Sequence, residues 1–557
     1  MATSAPTTNG TKAPKLIGFA IPLLGIMAAI QGSSPNINST ALVSLTRDLN
    51  MAGGQVALAA SIQTIAIAAS VITTGLLADR LGRRKVLLAA LLVGAAGSAI
   101  SGLAPVSAIY LLGQAITGVG LGAVYGASFA YIHAVAKPGK LAAALGVFGA
   151  VIGLSTLVFT FLGGELVGVD WRFAFFVLTA ASLISFFLVP LALPDQPKLK
   201  SENLDIVGQI LLVIGIIGFL YGVSQLGNSL TSPATLAPLI AGALLLAIFF
   251  VFESKNKKAF YPVHLFKSPV FLAAVLVGFV FNYGTAVAFL QTTNLWQYVT
   301  DVPTKEVALW QVPLVAAGIV GALVIGRLMS KGLSNRTAIL IGTSLAVIGF
   351  VLLALASNQK SFFAFLPGSL ITGAGLLIAS IPFGNLIIRE APPAQFGPVT
   401  SSRTTIGQFF YSIGFAIATV LVDRLTIGGV TQKLTDAGVQ PDSIGTAVTS
   451  INQYVKSGDE PTTQLGKEAL ADAATSYSSA FTTVMLVSAG LMLVAGLIAA
   501  LLLRNYHEPK KGEAATPSAA PTPAASTPAA STPAAPAAGA PAAASPSTPA
   551  PSTDSDK

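Results

Sequence analysis

Apolar runs long enough to cross a bilayer recur along almost the whole chain, and no other feature constrains its fold as tightly. They fall at about 16–44, 55–78, 85–103, 106–134, 140–167, 172–193, 204–226, 233–252, 268–298, 305–329, 335–355, 362–388, 398–424 and 477–503. A spanning helix needs about 20 such residues, and the bilayer core offers no water to unpaired backbone groups, so each run is expected to be helical. The expected fold class is therefore an all-α polytopic membrane protein with fourteen transmembrane helices. Only 10% of the residues are charged, against about 25% in globular domains, and 53% are hydrophobic.

Charge sets the orientation. The 31 Lys and Arg exceed the 22 Asp and Glu, yet no basic block is interleaved with aromatics, which argues against a nucleic-acid partner. The basic residues instead occupy alternate loops: Arg80, Arg83, Arg84 and Lys85; Lys137 and Lys140; Lys198 and Lys200; Lys255, Lys257, Lys258 and Lys267; Lys331 and Arg336; Arg389 and Arg403; Arg504, Lys510 and Lys511. The short loops at 102–107 and 227–232 carry none. Positive charge marks the cytoplasmic face, so both termini are expected inside a plasma membrane, the inner membrane of a bacterium. Residues 1–15 lack the pattern of a cleaved signal and are read as a cytoplasmic segment.

The absence of cysteine excludes disulfides, thiolate metal sites and a cysteine nucleophile. His133, His264 and His507 lie in separate segments, so no metal site or cofactor is expected. Two stretches fall outside the spans. Residues 425–476 form a polar external connection, with short amphipathic helices expected around 430–437 and 444–455. Residues 512–557 are almost entirely Ala, Pro, Ser and Thr, a composition expected to stay disordered in the cytoplasm.

One loop carries a specific pattern: Gly75-Leu76-Leu77-Ala78-Asp79-Arg80-Leu81-Gly82-Arg83-Arg84-Lys85. Asp79 ends its helix where the dipole disfavours an anion, so it needs a cation or the N-terminus of another helix as its partner. Gly75 permits close backbone approach, Gly82 suits a left-handed turn, and Arg83 and Arg84 can pair across the bundle. A degenerate copy, Gly326-Arg327-Leu328-Met329-Ser330 followed by Lys331, sits after the tenth span with Ser330 in place of the aspartate. The loop resembles the cytoplasmic signature of the major facilitator superfamily. Six spans, two inserted and six more are similar to its fourteen-span drug:proton antiporter branch, the multidrug and quaternary-ammonium efflux pumps. Supporting resemblances are Arg47-Asp48-Leu49, Trp171-Arg172-Phe173 and Leu204-Asp205-Ile206-Val207-Gly208. The resemblance implies a six-helix bundle at 16–193, two inserted helices at 204–252 and a second bundle at 268–503. Gly75, Asp79, Arg80, Gly82, Arg83 and Arg84 would form its conformational switch.

The sequence departs from the branch where that branch couples transport to protons. Ser34 stands at the expected first-span aspartate, Gln114 replaces the arginine of the fourth-span motif, and the fifth-span signature keeps only Gly163 and Gly164. A carboxylate near the bilayer centre costs on the order of 3 kcal/mol, and this chain has dropped it from those spans. Glu165 and Arg403 are the coupling candidates that remain, weighed against rim pairing and helix-end anchoring. Gln31, Ser34 and Asn38 share one stripe of the first span; Asn282, Tyr283, Phe289, Thr293 and Gln297 cluster in the ninth. With Gln114 they are candidate cavity groups, suited to a small amphiphilic or lipid-like substrate, and interhelical packing is the equal alternative.

These features imply a secondary active exporter of hydrophobic or amphiphilic compounds working by alternating access, with proton coupling left open. Membrane lipids and protons are the further partners implied. A lipid or glycolipid transporter of the cell envelope is the second reading. A membrane-embedded transferase or sensor is disfavoured, because the sole D-x-D, Asp554 to Asp556, lies in the tail.

Overall fold

The computed structural model describes residues 16–506, apart from short stretches at 52–53, 138–139, 197–204, 227–229, 257, 301, 303, 393–394 and 458–460. The first fifteen residues and the tail, with the disorder expected of it, lie outside the described residues. The helices are α1 (Ala20–Asp48), α2 (Gly54–Leu81), α3 (Arg83–Gly102), α4 (Ser107–Val135), α5 (Leu141–Val167), α6 (Trp171–Ala192), α7 (Ile206–Gln225) and α8 (Pro233–Lys255). They continue as α9 (Pro269–Tyr298), α10 (Thr304–Ser330), α11 (Asn335–Leu355), α12 (Phe362–Glu390), α13 (Phe396–Asp436), α14 (Pro441–Ser457) and α15 (Gln464–Leu502). All but α14 are long and apolar enough to cross a membrane. Helix starts follow local chemistry. Ser232 and Ser268 cap α8 and α9 just before Pro233 and Pro269, while Asp170, Asp205, Ser334 and Thr463 cap α6, α7, α11 and α15.

Two halves share one packing plan. In the first, α1 packs on α5, α2 on α4, α3 on α4 and α3 on α6; in the second, α9 packs on α13, α10 on α12, α11 on α12 and α11 on α15. The same repeat governs the contacts between halves, where α2 meets α13 and α10 meets α5. The α7–α8 hairpin lies outside this plan. Its first helix touches α2 of one half and α13 of the other, with Phe219 stacked on Phe409 at 4.9 Å between centroids.

The structure differs from expectation at 425–476. No break follows the membrane segment of α13, which runs on for 41 residues, about 60 Å at helical rise, twice the ~30 Å hydrocarbon thickness. α15 starts thirteen residues ahead of the expected 477. Amphipathic α14 lies against both extensions, burying Ile444, Ala447 and Ile451 against Val430, Leu434, Ala469 and Ala473. A Lys433–Asp472 ion pair at 3.2 Å ties the two long helices beside it. The apolar stripe inside a polar sequence is what makes this a folded head and not a slack connection.

An aspartate replacing Ile444 puts a charge into that seam and is expected to destabilise the head by about 2–4 kcal/mol. Hydrogen exchange in 441–457 should speed up while exchange in α1–α6 stays unchanged. Unchanged protection of α14 would show that the seam does not hold it.

Candidate functional site

The candidate site lies where the halves meet at the end bearing the glycine-aspartate loop. Asp79 is 3% exposed at the last turn of α2. Its Oδ1 accepts from Arg83 Nη2 at 2.9 Å and Nε at 3.2 Å, and its Oδ2 accepts the Gly397 backbone N–H at 2.5 Å. Gly397 is the second residue of α13, so Asp79 caps a helix of the opposite half with its charge aligned to that helix dipole. Both partners anticipated from the sequence are present together. Arg83 also lies over the ring of Phe396, the first residue of α13, at 4.8 Å.

The degenerate loop makes the equivalent contact. Ser330 Oγ accepts the N–H of Ala143, the third residue of α5, at 3.0 Å. Four residues before each capping side chain stands a glycine. A Cβ on Gly75 would lie 2.7 Å from Gly397 O, and one on Gly326 would lie 2.7 Å from Ala142 O. Each loop therefore closes the same way, by a small residue that admits the other half's backbone and a polar side chain that caps it. The first cap is ionic and the second neutral.

The other residues expected in the switch stay near that contact. Gly82 adopts φ +100°, which an L-residue resists, and so sets the sharp turn into α3. Arg84 pairs with Asp195 at 3.2 Å and donates to Pro190 O at 3.1 Å, holding α3 to the end of α6 in its own half. Arg80 keeps Nε and Nη2 buried without a hydrogen-bond partner.

Deeper in the same interface Arg403 is 8% exposed. Its guanidinium donates to the Tyr125 hydroxyl and lies 4.6 Å from the Phe129 centroid and 4.9 Å from that of Phe383. Two of these rings belong to α4 in the first half and one to α12 in the second. No carboxylate pairs with Arg403 among the described residues. Beside it Thr405 Oγ1 donates to Ala68 O across the interface at 3.0 Å. Sequence reasoning missed Gly397 and this aromatic box. The signal was the uninterrupted polar run Thr400-Ser401-Ser402-Arg403-Thr404-Thr405 opening an otherwise apolar span, a pattern tolerated only where the helix faces protein or water.

The structure divides the other candidates. Ser34 accepts from Gln63, while Asn38 donates to Ala59 O at 2.8 Å and accepts from the Tyr110 hydroxyl, so both tie α1 to its neighbours. Gln114 donates to Ser101 Oγ at 2.9 Å on α3. Gln31 is buried. Tyr283 meets Ser488 at 3.0 Å on α15. Asn282 donates to Gly278 O at 2.8 Å and faces Gly407 of α13. Thr293 and the Phe289 carbonyl both accept from Gln311 of α10, and Gln297 is half-buried. Glu165 is exposed on α5. Its expected neighbour Arg172 is engaged elsewhere, with Asp48 at 2.7 Å and Asp170 at 3.8 Å. Hydrogen bonds from Arg172 and then Trp171 hold the Asp48 carboxyl below its usual pKa. The Arg47-Asp48-Leu49 and Trp171-Arg172 motifs thus meet in space.

Two repeated six-helix halves joined by reciprocal caps define a polytopic membrane carrier. The chain belongs to the Major Facilitator Superfamily, whose family model matches residues 24–419. It is similar to the multidrug transporter protein MdtP of Bacillus subtilis, 27% identical over 61% of this chain and 62% of that protein. It is also similar to the uncharacterized MFS-type transporter Rv1877 of Mycobacterium tuberculosis (25% over 90% and 72%) and to the puromycin resistance protein pur8 of Streptomyces alboniger (24% over 75% and 82%). The solved proton:xylose symporter XylE shares the fold at TM-score 0.56, with 13% identity over 88% of this chain and 96% of that one. The human organic anion transporter MFSD10 does so at 0.54, with 13% identity over 87% and 99%.

Valine at Gly75 would wedge α2 from α13. Labelling of a cysteine placed at buried Thr404 is expected to accelerate about tenfold, a shift of roughly 1.4 kcal/mol toward the parted state. Valine at Gly164, which has open space around its Cβ position, should leave the rate unchanged. Equal rates in both variants would remove the close approach from the switch.

Proposed function

We propose that this transporter exports hydrophobic or amphiphilic compounds by alternating access, with the end bearing Asp79 and Ser330 on the cytoplasmic side and shut in this state. The observation that carries the reading is the reciprocal pair of caps. Each is a contact between halves that breaks when they tilt apart and re-forms without rearranging either half. The names of relatives such as MdtP and pur8 support a drug-like substrate class.

Arg403 is central to this reading. A guanidinium at membrane depth is costly, and here three rings and one hydroxyl offset part of that cost. Tilting the halves carries Tyr125 and Phe129 away from Arg403 and leaves a cation beside an aromatic face. That pairing suits an amphiphile with a hydrogen-bond acceptor at its polar end. Closing the box again would displace the ligand, so substrate and rings compete for one guanidinium.

A second reading, a lipid carrier, is favoured by one observation. A groove of about 550 Å³ between α2, α3, α4 and α7 is lined by apolar and small residues, among them Ala69, Val93, Ile116, Val119 and Ile217. Such a surface fits an acyl chain entering from the bilayer.

In cells expressing the chain, efflux of a rhodamine-type dye is expected, slowed about tenfold or more by Arg403→Ala and only partly by Arg403→Lys at equal membrane abundance. Unchanged dye accumulation with loss of an envelope lipid on deletion would favour the lipid carrier. Full efflux by Arg403→Ala would remove the guanidinium from the substrate path.

A further inference from the structure

At the base of the inserted hairpin two buried carboxyl groups converge on Gly208. Asp205, 7% exposed, caps α7: Oδ1 accepts from Gly208 N at 2.8 Å and Oδ2 accepts from Asn256 Nδ2 at 2.5 Å. Glu253, 2% exposed near the end of α8, accepts the Tyr261 N–H on Oε1 at 2.8 Å, and its Oε2 is buried with no partner. That Oε2 and Asp205 Oδ2 each lie 2.7 Å from the position a Cβ on Gly208 would take, so the two oxygens are at most twice that distance apart.

Among the described residues no cation pairs with either group, and Lys255 and Lys258 are exposed. Among the described residues of the strap after α8, Tyr261 meets Glu253 through its backbone N–H, and its phenol oxygen is buried without a hydrogen-bond partner. Two like charges in such a site cannot both persist.

We propose that Asp205 and Glu253 hold one proton between them, on the Glu253 Oε2 to Asp205 Oδ2 line, forming a protonation site in the inserted hairpin. The proton satisfies the one orphaned oxygen and removes one of the two charges. Its loss to water leaves two carboxylates that repel. The displacement has a direct path to the switch, because the strap that Glu253 holds through Tyr261 also binds the start of α13. Gln395 Nε2 donates to Ala259 O at 3.0 Å, and Ser268 Oγ donates to Glu390 Oε2 at 2.8 Å at the end of α12. Gln395 sits just before Phe396 and Gly397, the residues Asp79 and Arg83 engage. The inserted pair is thereby a proton-responsive brace on the same cap. The site itself does not depend on the export reading.

The test uses the purified full-length protein in lipid nanodiscs and no transport substrate. Infrared difference spectra between neutral and alkaline pH should contain a carboxylic-acid carbonyl band that Glu253→Gln and Asp205→Asn both abolish and that sodium leaves unchanged. An environment-sensitive dye on a cysteine at Lys258 should respond to the same pH step in the wild type and lose that response in Glu253→Gln. Should Glu253→Gln fail to fold, Gly208→Ala places a methyl 2.7 Å from both oxygens and should shift or remove the band. A band of equal intensity in wild type and variants overturns the proposal. A band removed by added sodium overturns it in favour of a cation site.

Discussion

The proposed switch depends on one kind of contact, a side chain from one half capping the first turn of a helix in the other. Helix N-termini leave several N–H groups unpaired, and in a membrane protein water cannot be assumed to satisfy them. Asp79 and Ser330 supply acceptors at the two equivalent places. Because each acceptor belongs to the opposite half, parting the halves leaves the first turns of α13 and α5 without their capping acceptors, while Asp79 keeps only Arg83 of its own half. That converts a continuous tilt into a choice between two states. The asymmetry matters as well: a carboxylate held by Arg83 and a helix dipole makes a stronger contact than a hydroxyl does, so the Asp79 side carries more of the closing energy.

The polar groups inside the bundle follow a similar economy. Ser34, Asn38, Gln63 and Tyr110 join α1, α2 and α4, and Gln114 with Ser101 joins α3 to α4. Such hydrogen bonds stabilise packing where lipid offers no hydrophobic contrast between helices. They also leave little of the first-span stripe free to meet a solute. Arg403 is different, since its partners are rings drawn from both halves and its charge has no ionic counterpart among the described residues.

Much of the fold was legible in the sequence because hydrocarbon thickness and backbone satisfaction leave few choices. The helices begin and end close to the apolar runs, as at 335–355 and 141–167. In the head the amphipathic helix expected around 444–455 is present as α14, but the continuations of α13 and α15 that it packs on were not legible, since the partners of Ile444, Ala447 and Ile451 lie in helices on either side of it in sequence. Within the site, Asp79 and Gly75 were legible because a carboxylate at a helix C-terminus demands an explanation. Gly397 was not, because a backbone N–H leaves no residue-type signature. The aromatic box around Arg403 was hidden for another reason: Tyr125, Phe129 and Phe383 look like ordinary apolar content of their spans until the halves are assembled. Glu165 attracted notice as a carboxylate near Arg172, but α1 presents Asp48 to that arginine at closer range.

Two caps of about 1–2 kcal/mol each should together bias the equilibrium by about thirtyfold to several hundredfold. The natural chain has no cysteine, so spin labels at Lys137 and Lys331, one on each half at the capped end, report that bias directly. In the Asp79→Asn, Ser330→Ala double variant the account predicts a population at longer distance there, matched by shorter distances between labels at Val169 and Leu355 at the opposite end. Distance distributions unchanged from the wild type in a folded double variant would contradict it.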